Sequence, residues 1–77
     1  MRYKHSARYQ EIGRRIQKQR LECGLTQEAL AESAGISISY LTKIEAQNCD
    51  KPFSLEVVFD IADALYISPA RLLDEVT

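Results

Sequence analysis

The sequence predicts an all-α fold, a compact bundle of five short helices in one domain. Apolar residues recur at helical spacing in several segments, Ser or Thr caps precede three of them, and no segment alternates apolar and polar residues as a strand would. The chain has 77 residues, 45% of them apolar and 27% charged, which is typical of a single globular domain. We expect residues 8–77 to form this domain and residues 1–7 to form a basic arm whose order the sequence leaves open.

The first predicted helix covers residues 8–23. Its apolar residues lie near a 3.6-residue period and its other positions are mostly charged or polar, as in an amphipathic helix. Cys23 is expected to be packed, and Gly24 is expected to end the helix. Cys23 and Cys49 are too few and too far apart for a disulfide framework, so both are interpreted as reduced thiols.

The second and third predicted helices are short and are separated by a tight turn. Thr26 is placed to cap a helix that runs to about Ala34, and Ser37 is placed to cap the next, which runs to about Gln47. Gly35 between them can adopt a positive φ without steric cost. A short helix, a glycine turn and a second short helix form the helix-turn-helix arrangement, whose second helix enters the major groove of DNA.

The last two predicted helices follow a loop at residues 48–53. Ser54 caps the fourth helix, and Pro69 suits the first turn of the fifth. The apolar set of the fourth helix is wide enough to be largely buried: Leu55, Val58, Phe59, Ile61, Ala62 and Leu65.

The apolar residues of the helix-turn-helix segment are spaced to face the first and fourth helices. The small residues Ala31 and Gly35 are expected to let the second and third helices cross closely. Polar and apolar side chains near the start of the third helix are left pointing outward, where they could reach base edges: Ser37, Ile38, Ser39, Thr42 and Lys43.

The net charge of −1 is unevenly distributed along the chain. Residues 1–20 carry a net charge of +6, whereas residues 21–51 carry −3 and residues 52–77 carry −4. This asymmetry is compatible with the attraction of a polyanion to one face of the protein. It is equally compatible with a first helix that simply has a solvated basic side.

Several motifs resemble the Cro/C1-type, or XRE-type, helix-turn-helix domain of phage repressors and bacterial regulators. These motifs are GLTQEALA at 24–31, AGIS at 34–37, SYLTKIE at 39–45, and a C-terminal part that runs from Ser54 to Leu73. The resemblance covers residues 12–73 and implies a lambda-repressor-like bundle that binds double-stranded DNA through helices 2 and 3.

The resemblance also implies roles for individual residues. The five outward residues of the third helix would read bases, and Arg20 and Glu45 would form a salt bridge between helices 1 and 3. Phosphate contacts are implied for Gln27, Tyr40, Asn48 and Lys51. Packing is the main role expected of Tyr40, and Lys51 is equally well explained as a surface lysine.

Two features depart from the family pattern. The glycine common after the third helix is replaced by Ala46, Gln47 and Asn48, so Asn48 is expected to cap that helix with a positive φ. Asp50 places a negative charge where phosphate-binding residues are expected, which leaves the strength of DNA binding open.

We expect a homodimer formed through helix 5 and the end of helix 4, with Leu72, Leu73 and Val76 at the interface. Such a dimer would read a palindromic operator through recognition helices ~34 Å apart. The expected function is that of a cytoplasmic transcriptional regulator, a repressor or autoregulator, with no enzymatic activity, metal, cofactor or membrane segment. The alternative is a protein-interaction module on the same fold, such as an antitoxin or antirepressor.

Overall fold

The computed structural model describes residues 4–49 and 51–76, and within them it contains five helices and no strand. The helices are α1 (Ser6–Glu22), α2 (Gln27–Ala34), α3 (Ile38–Glu45), α4 (Leu55–Ala64) and α5 (Ala70–Leu73). The all-α, five-helix prediction is therefore confirmed. Helix α1 begins two residues earlier than expected, and Asp50 and residues 1–3 of the predicted arm lie outside the described residues.

Three helices begin as the capping residues predict. The hydroxyl oxygen of Thr26 accepts a hydrogen bond from the backbone N–H of Ala29 at 3.0 Å. The hydroxyls of Ser37 and Ser54 do the same for the N–H groups three residues further on, at 3.0 and 3.2 Å. Each cap satisfies one of the N–H groups that a helix start leaves unpaired. None of the helices in these two segments has the length and hydropathy needed to cross a membrane.

Helices α1, α2 and α4 end in the same kind of turn. A residue with positive φ follows each helix, and the N–H of the next residue bonds to a carbonyl five residues back, as Ile36 does to Ala31 at 3.0 Å. The positive-φ residues are Gly24 and Gly35, with φ of 72° and 73°, and Tyr66, with φ of 58°. A Cβ on Gly35 would meet nothing within 4 Å, so Gly35 serves the turn and not the close helix crossing that we expected.

Helix α3 ends differently from the prediction. Ala46 has an extended backbone, with φ −66° and ψ 137°, and this conformation stops the helix at Glu45. Asn48 is not among the positive-φ residues of the described chain, so it is not the predicted left-handed cap.

The core lies between the helices, with α2 packed on α4, and with α3 and α5 packed on α1. Its fully buried large side chains include Ile16, Leu30, Leu41, Ile44, Ile61 and Leu72. Two residues expected in this core, Leu55 and Phe59, are 58% and 42% exposed because they lie on the outer side of α4. Cys23 is also exposed, contrary to expectation, because it lies just beyond the last turn of α1.

Helices α1 and α3 approach each other closely at Gly13. A Cβ added there would overlap the carbonyl oxygen of Ile44 and would lie 3.2 Å from its carbonyl carbon. The backbones of α1 and α3 therefore meet with no side chain between them.

Helix α5 is tied to α1 by Arg15. Its guanidinium donates to the backbone carbonyl oxygens of Leu72 and Asp74, and its Nε donates to Glu11 Oε2 at 3.0 Å. These bonds pair carbonyl groups that the end of a four-residue helix would otherwise leave to solvent.

Candidate nucleic-acid interface

Helix α3 is anchored on one side and open on the other. Leu41 and Ile44 are 0% and 1% exposed and pack into the core. Five side chains at the start and along the outer side of α3 are exposed, and we call them the recognition face: Ser37, Ile38, Ser39, Thr42 and Lys43. The structure thus brings together, on one surface, all five residues expected to read bases.

Members of the recognition face differ in how free their polar groups are. Ser37 already accepts a hydrogen bond from Tyr40 N–H, so its hydroxyl has its hydrogen left to donate. Ile38 is 46% exposed and presents an apolar surface beside two hydroxyl groups. Lys43 carries the positive charge of the face.

A buried ion pair connects α1 to the end of α3. Arg20 Nε donates to Glu45 Oε2 at 2.9 Å, and Arg20 Nη2 donates to Glu45 Oε1 at 3.0 Å. The two side chains are 9% and 1% exposed, and Arg20 Nη1 also donates to the carbonyl of Leu25 at 2.7 Å. Because the contact is two-pronged, it restrains both the distance and the rotation of α3 relative to α1.

Gln27, the first residue of α2, extends this network toward the recognition face. Its Nε2 donates to Glu45 Oε1 at 3.1 Å, and its Oε1 accepts from Thr42 Oγ1 at 3.4 Å. The amide nitrogen has a second hydrogen beyond the one that Glu45 accepts, and the side chain is half-buried, so a further acceptor can still be bound.

The remaining expected phosphate contacts lie around the end of α3. Lys43, Asn48 and Lys51, all exposed, line one cavity of about 190 Å³. Tyr40 is half-buried, packs against the core and borders a neighbouring cavity with Lys43 and Lys51. The loop after α3 therefore places the amino group of Lys51 and the amide of Asn48 beside Lys43, at one edge of the recognition face.

The three residues expected at a dimer interface do not share one environment. Leu72 is 0% exposed and belongs to the core, so its side chain cannot contact a second copy while the fold is intact. Leu73 and Val76 are half-buried and line a groove of about 530 Å³ together with Leu55. Leu72 is thus removed from the expected interface.

Sequence reasoning missed Gly13 as a positioning residue for α3. A glycine within an amphipathic helix, next to the apolar residue Ile12, was the available signal, since glycine is unfavourable there unless another backbone approaches. It also missed Leu55 and Phe59 as exposed apolar residues. The apolar residues of α4 cover much of its circumference, but this pattern does not reveal which side lacks a partner helix.

The described segments contain no group of three or more His, Cys, Asp or Glu residues placed to hold a metal ion. Cys23 and Cys49 are both free thiols.

Comparisons with known proteins agree with this geometry. The helix-turn-helix family model matches residues 16–72. The HTH-type transcriptional regulator SinR of Bacillus subtilis is 39% identical over 64 residues, and the chain spans 57% of that protein's length. A solved structure of SinR in complex with DNA has a TM-score of 0.75 and 38% identity, over 82% of this chain and 98% of that one.

A second solved structure is that of the restriction-modification controller protein C.AhdI from Aeromonas hydrophila. It has a TM-score of 0.76 and 33% identity, and the match covers 83% of this chain and 94% of that protein. The family match, the similar proteins and the anchored α3 with its exposed face all point to the same family. The chain belongs to the Cro/C1-type, or XRE-type, helix-turn-helix family of DNA-binding transcriptional regulators.

Proposed function

We propose that this chain is a sequence-specific transcriptional repressor or autoregulator that binds a palindromic operator as a homodimer and inserts α3 into the major groove. One observation supports this proposal most strongly. Helix α3 is held rigidly from behind by buried Leu41, Ile44 and the Arg20–Glu45 ion pair, while its recognition face is open to solvent. Base readout needs this combination, because a reading helix must be both accessible and fixed.

The chemistry of the recognition face suits base edges. Lys43 matches the O6 and N7 acceptors of guanine or a phosphate oxygen, and Ile38 matches a thymine methyl group. The Ser39 hydroxyl can both donate and accept, so it can bond to bases of either kind.

Phosphate contacts would flank this readout. Gln27 has an amide hydrogen to offer beyond the one that Glu45 accepts, and Asn48 and Lys51 lie beside Lys43. Contacts of this kind fix the register of a protein on the duplex, and those made by lysine weaken as salt rises.

The dimer would use the apolar surface on the outer side of α4 and the end of the chain. Leu55 and Phe59 lie one turn apart on α4, and Leu55 shares its groove with Leu73 and Val76. The proposal rests on the exposure of these two large apolar residues and on the groove that Leu55 borders. A single copy would make too few contacts for tight specific binding.

The test is a fluorescence-anisotropy titration against the upstream region of the protein's own gene and a scrambled duplex, at two salt concentrations. We expect tighter, salt-weakened binding to the native duplex. Replacing Lys43 with alanine should lower that affinity at least ~5-fold, because it removes either a base contact or a phosphate contact. Arg71→Ala removes an exposed positive charge from α5 instead and should change it less than ~2-fold.

Equal binding of wild-type protein to both duplexes would contradict the proposal, as would equal losses in the two variants. The protein-interaction alternative then gains weight. SinR has also been solved as a SinR/SinI protein complex, and that structure is 39% identical to this chain with a TM-score of 0.75. A protein partner is therefore an additional role to test, and nothing in the fold favours it over DNA binding.

A further inference from the structure

We propose that Thr42 reads the base opposite it as a hydrogen-bond acceptor, and that the Arg20–Glu45 ion pair imposes this polarity through Gln27. The inference rests on the proposed function, because it assigns a base preference to one position of the recognition face. It follows from the direction of each hydrogen bond in a chain of four side chains that links α1, α2 and α3.

Glu45 sets the direction of the hydrogen bonds in this series of side chains. Its carboxylate is paired with Arg20 at two points and has only acceptor oxygens to offer. The part of Gln27 that faces it at 3.1 Å must therefore be the amide nitrogen, because a flipped amide would place two oxygens against each other.

The oxygen end of the Gln27 amide faces Thr42. With the nitrogen committed to Glu45, Gln27 Oε1 is directed at Thr42 Oγ1, 3.4 Å away. An amide oxygen has no hydrogen to give, so this bond forms only if the Thr42 hydroxyl donates. A hydroxyl has a single hydrogen, and the lone pairs of Oγ1 are what the exposed Thr42 then offers to solvent or DNA.

Acceptor lone pairs select among base edges in the major groove. Adenine N6 and cytosine N4 have donor hydrogens there, whereas thymine O4 and guanine O6 and N7 are acceptors. Thr42 with its hydrogen committed to Gln27 should therefore favour adenine or cytosine on the strand that faces it. A free threonine hydroxyl could rotate to serve either kind of base.

The position opposite Thr42 can be located by selecting duplexes from a randomised pool with the wild-type protein and with Thr42→Val. The position whose base preference disappears in Thr42→Val is the one that Thr42 reads. Four duplexes that differ only at that base pair are then titrated by fluorescence anisotropy. We expect adenine or cytosine on the facing strand to be bound about fivefold more tightly than thymine or guanine, the contribution of one hydrogen bond.

Gln27→Met is the decisive variant, because it removes the amide that holds the Thr42 hydrogen and leaves Thr42 in place. The preference should fall below about twofold, whereas Thr42→Ser should keep it. Gln19→Met is the matched control and should also keep it, since the Gln19 side chain makes no hydrogen bond within the described segments. A loss of the Gln27 phosphate contact lowers affinity for all four duplexes alike and leaves their ratio unchanged.

Three results would overturn the inference: an unchanged ratio in Gln27→Met, a preference for thymine or guanine, or no position that depends on Thr42. In each case the wild-type protein would still distinguish its operator from a scrambled duplex. Failure of the proposed function is a different result, because the wild-type protein would then make no such distinction.

Discussion

The carbonyl group of Ile44 on α3 lies directly against Gly13 on α1, in the space that any other side chain would fill. This contact sets how near α3 can come to the core. The Arg20–Glu45 ion pair acts on the neighbouring residue of α3, and its 2.9 Å and 3.0 Å bonds require that nearness. The position of the recognition face thus depends on a glycine of α1 and on an ion pair between α1 and α3, neither of which belongs to the face.

Replacing Gly13 with alanine should destabilise the protein by about 1–3 kcal/mol. Alanine improves helix propensity, but its Cβ would overlap the Ile44 carbonyl oxygen, so the two backbones must separate. Urea unfolding measures the loss, and amide chemical shifts of α3 should report the displacement. A Gly13→Ala protein as stable as the wild type would show that the helices do not meet there.

Replacing Arg20 with methionine should cost about 3–5 kcal/mol, because Glu45 would keep a buried charge without its partner. The double variant Arg20→Met with Glu45→Leu removes both charges and should lose clearly less than the single variant. The measurement is the free energy of unfolding in urea for each member of the cycle.

Arg14→Met is the surface control for that experiment. Arg14 pairs with Glu11 on the same helix and its side chain is 69% exposed, so the change should cost less than about 1 kcal/mol. Equal losses at Arg14 and Arg20 would mean that burial does not distinguish the two ion pairs.

Replacing Tyr66 with glycine should stabilise the protein by about 0.5–1 kcal/mol. Tyr66 ends α4 with φ of 58°, a conformation that strains a side chain, and it is 94% exposed, so little packing is lost. A thermal melt should show a rise of about 2–8 °C for a domain of this size. Tyr66→Ala keeps the strained Cβ and should show no such rise, and a glycine variant that melts below the alanine variant would contradict the explanation.

If the proposed homodimer forms through this surface, replacing Phe59 with glutamate should convert it to a monomer, because a charge cannot be buried in an apolar interface without a partner. Analytical ultracentrifugation at tens of micromolar measures the change, and operator affinity should fall with it. Leu21→Glu places the same charge at an apolar residue that is 60% exposed on α1, and it should remain dimeric. A wild-type protein that sediments as a monomer would count against the dimer itself.

Sequence reasoning reached the helix-turn-helix segment because its signals are local. Thr26 and Ser37 cap the helices that follow them, and Gly35 makes the turn between, all through bonds within a few residues. The same reasoning failed at Asn48, because the extended backbone of Ala46 ends α3 before Asn48 can cap it. It also overestimated the burial of Leu55 and Phe59, because periodicity describes an apolar side without telling which neighbour covers it.

The amino-acid sequence was sufficient to predict the all-α class, the caps at the start of α2 and α3, and the glycine turn between them. Each of these depends on hydrogen bonds and side-chain directions within about one helical turn. Tertiary structure alone decided that Gly13 lies under Ile44, that Leu72 is core, and that Gln27 connects Glu45 to Thr42. Such relationships join residues 15 to 31 positions apart or depend on which surfaces meet, and only the packing of one helix against another can set them.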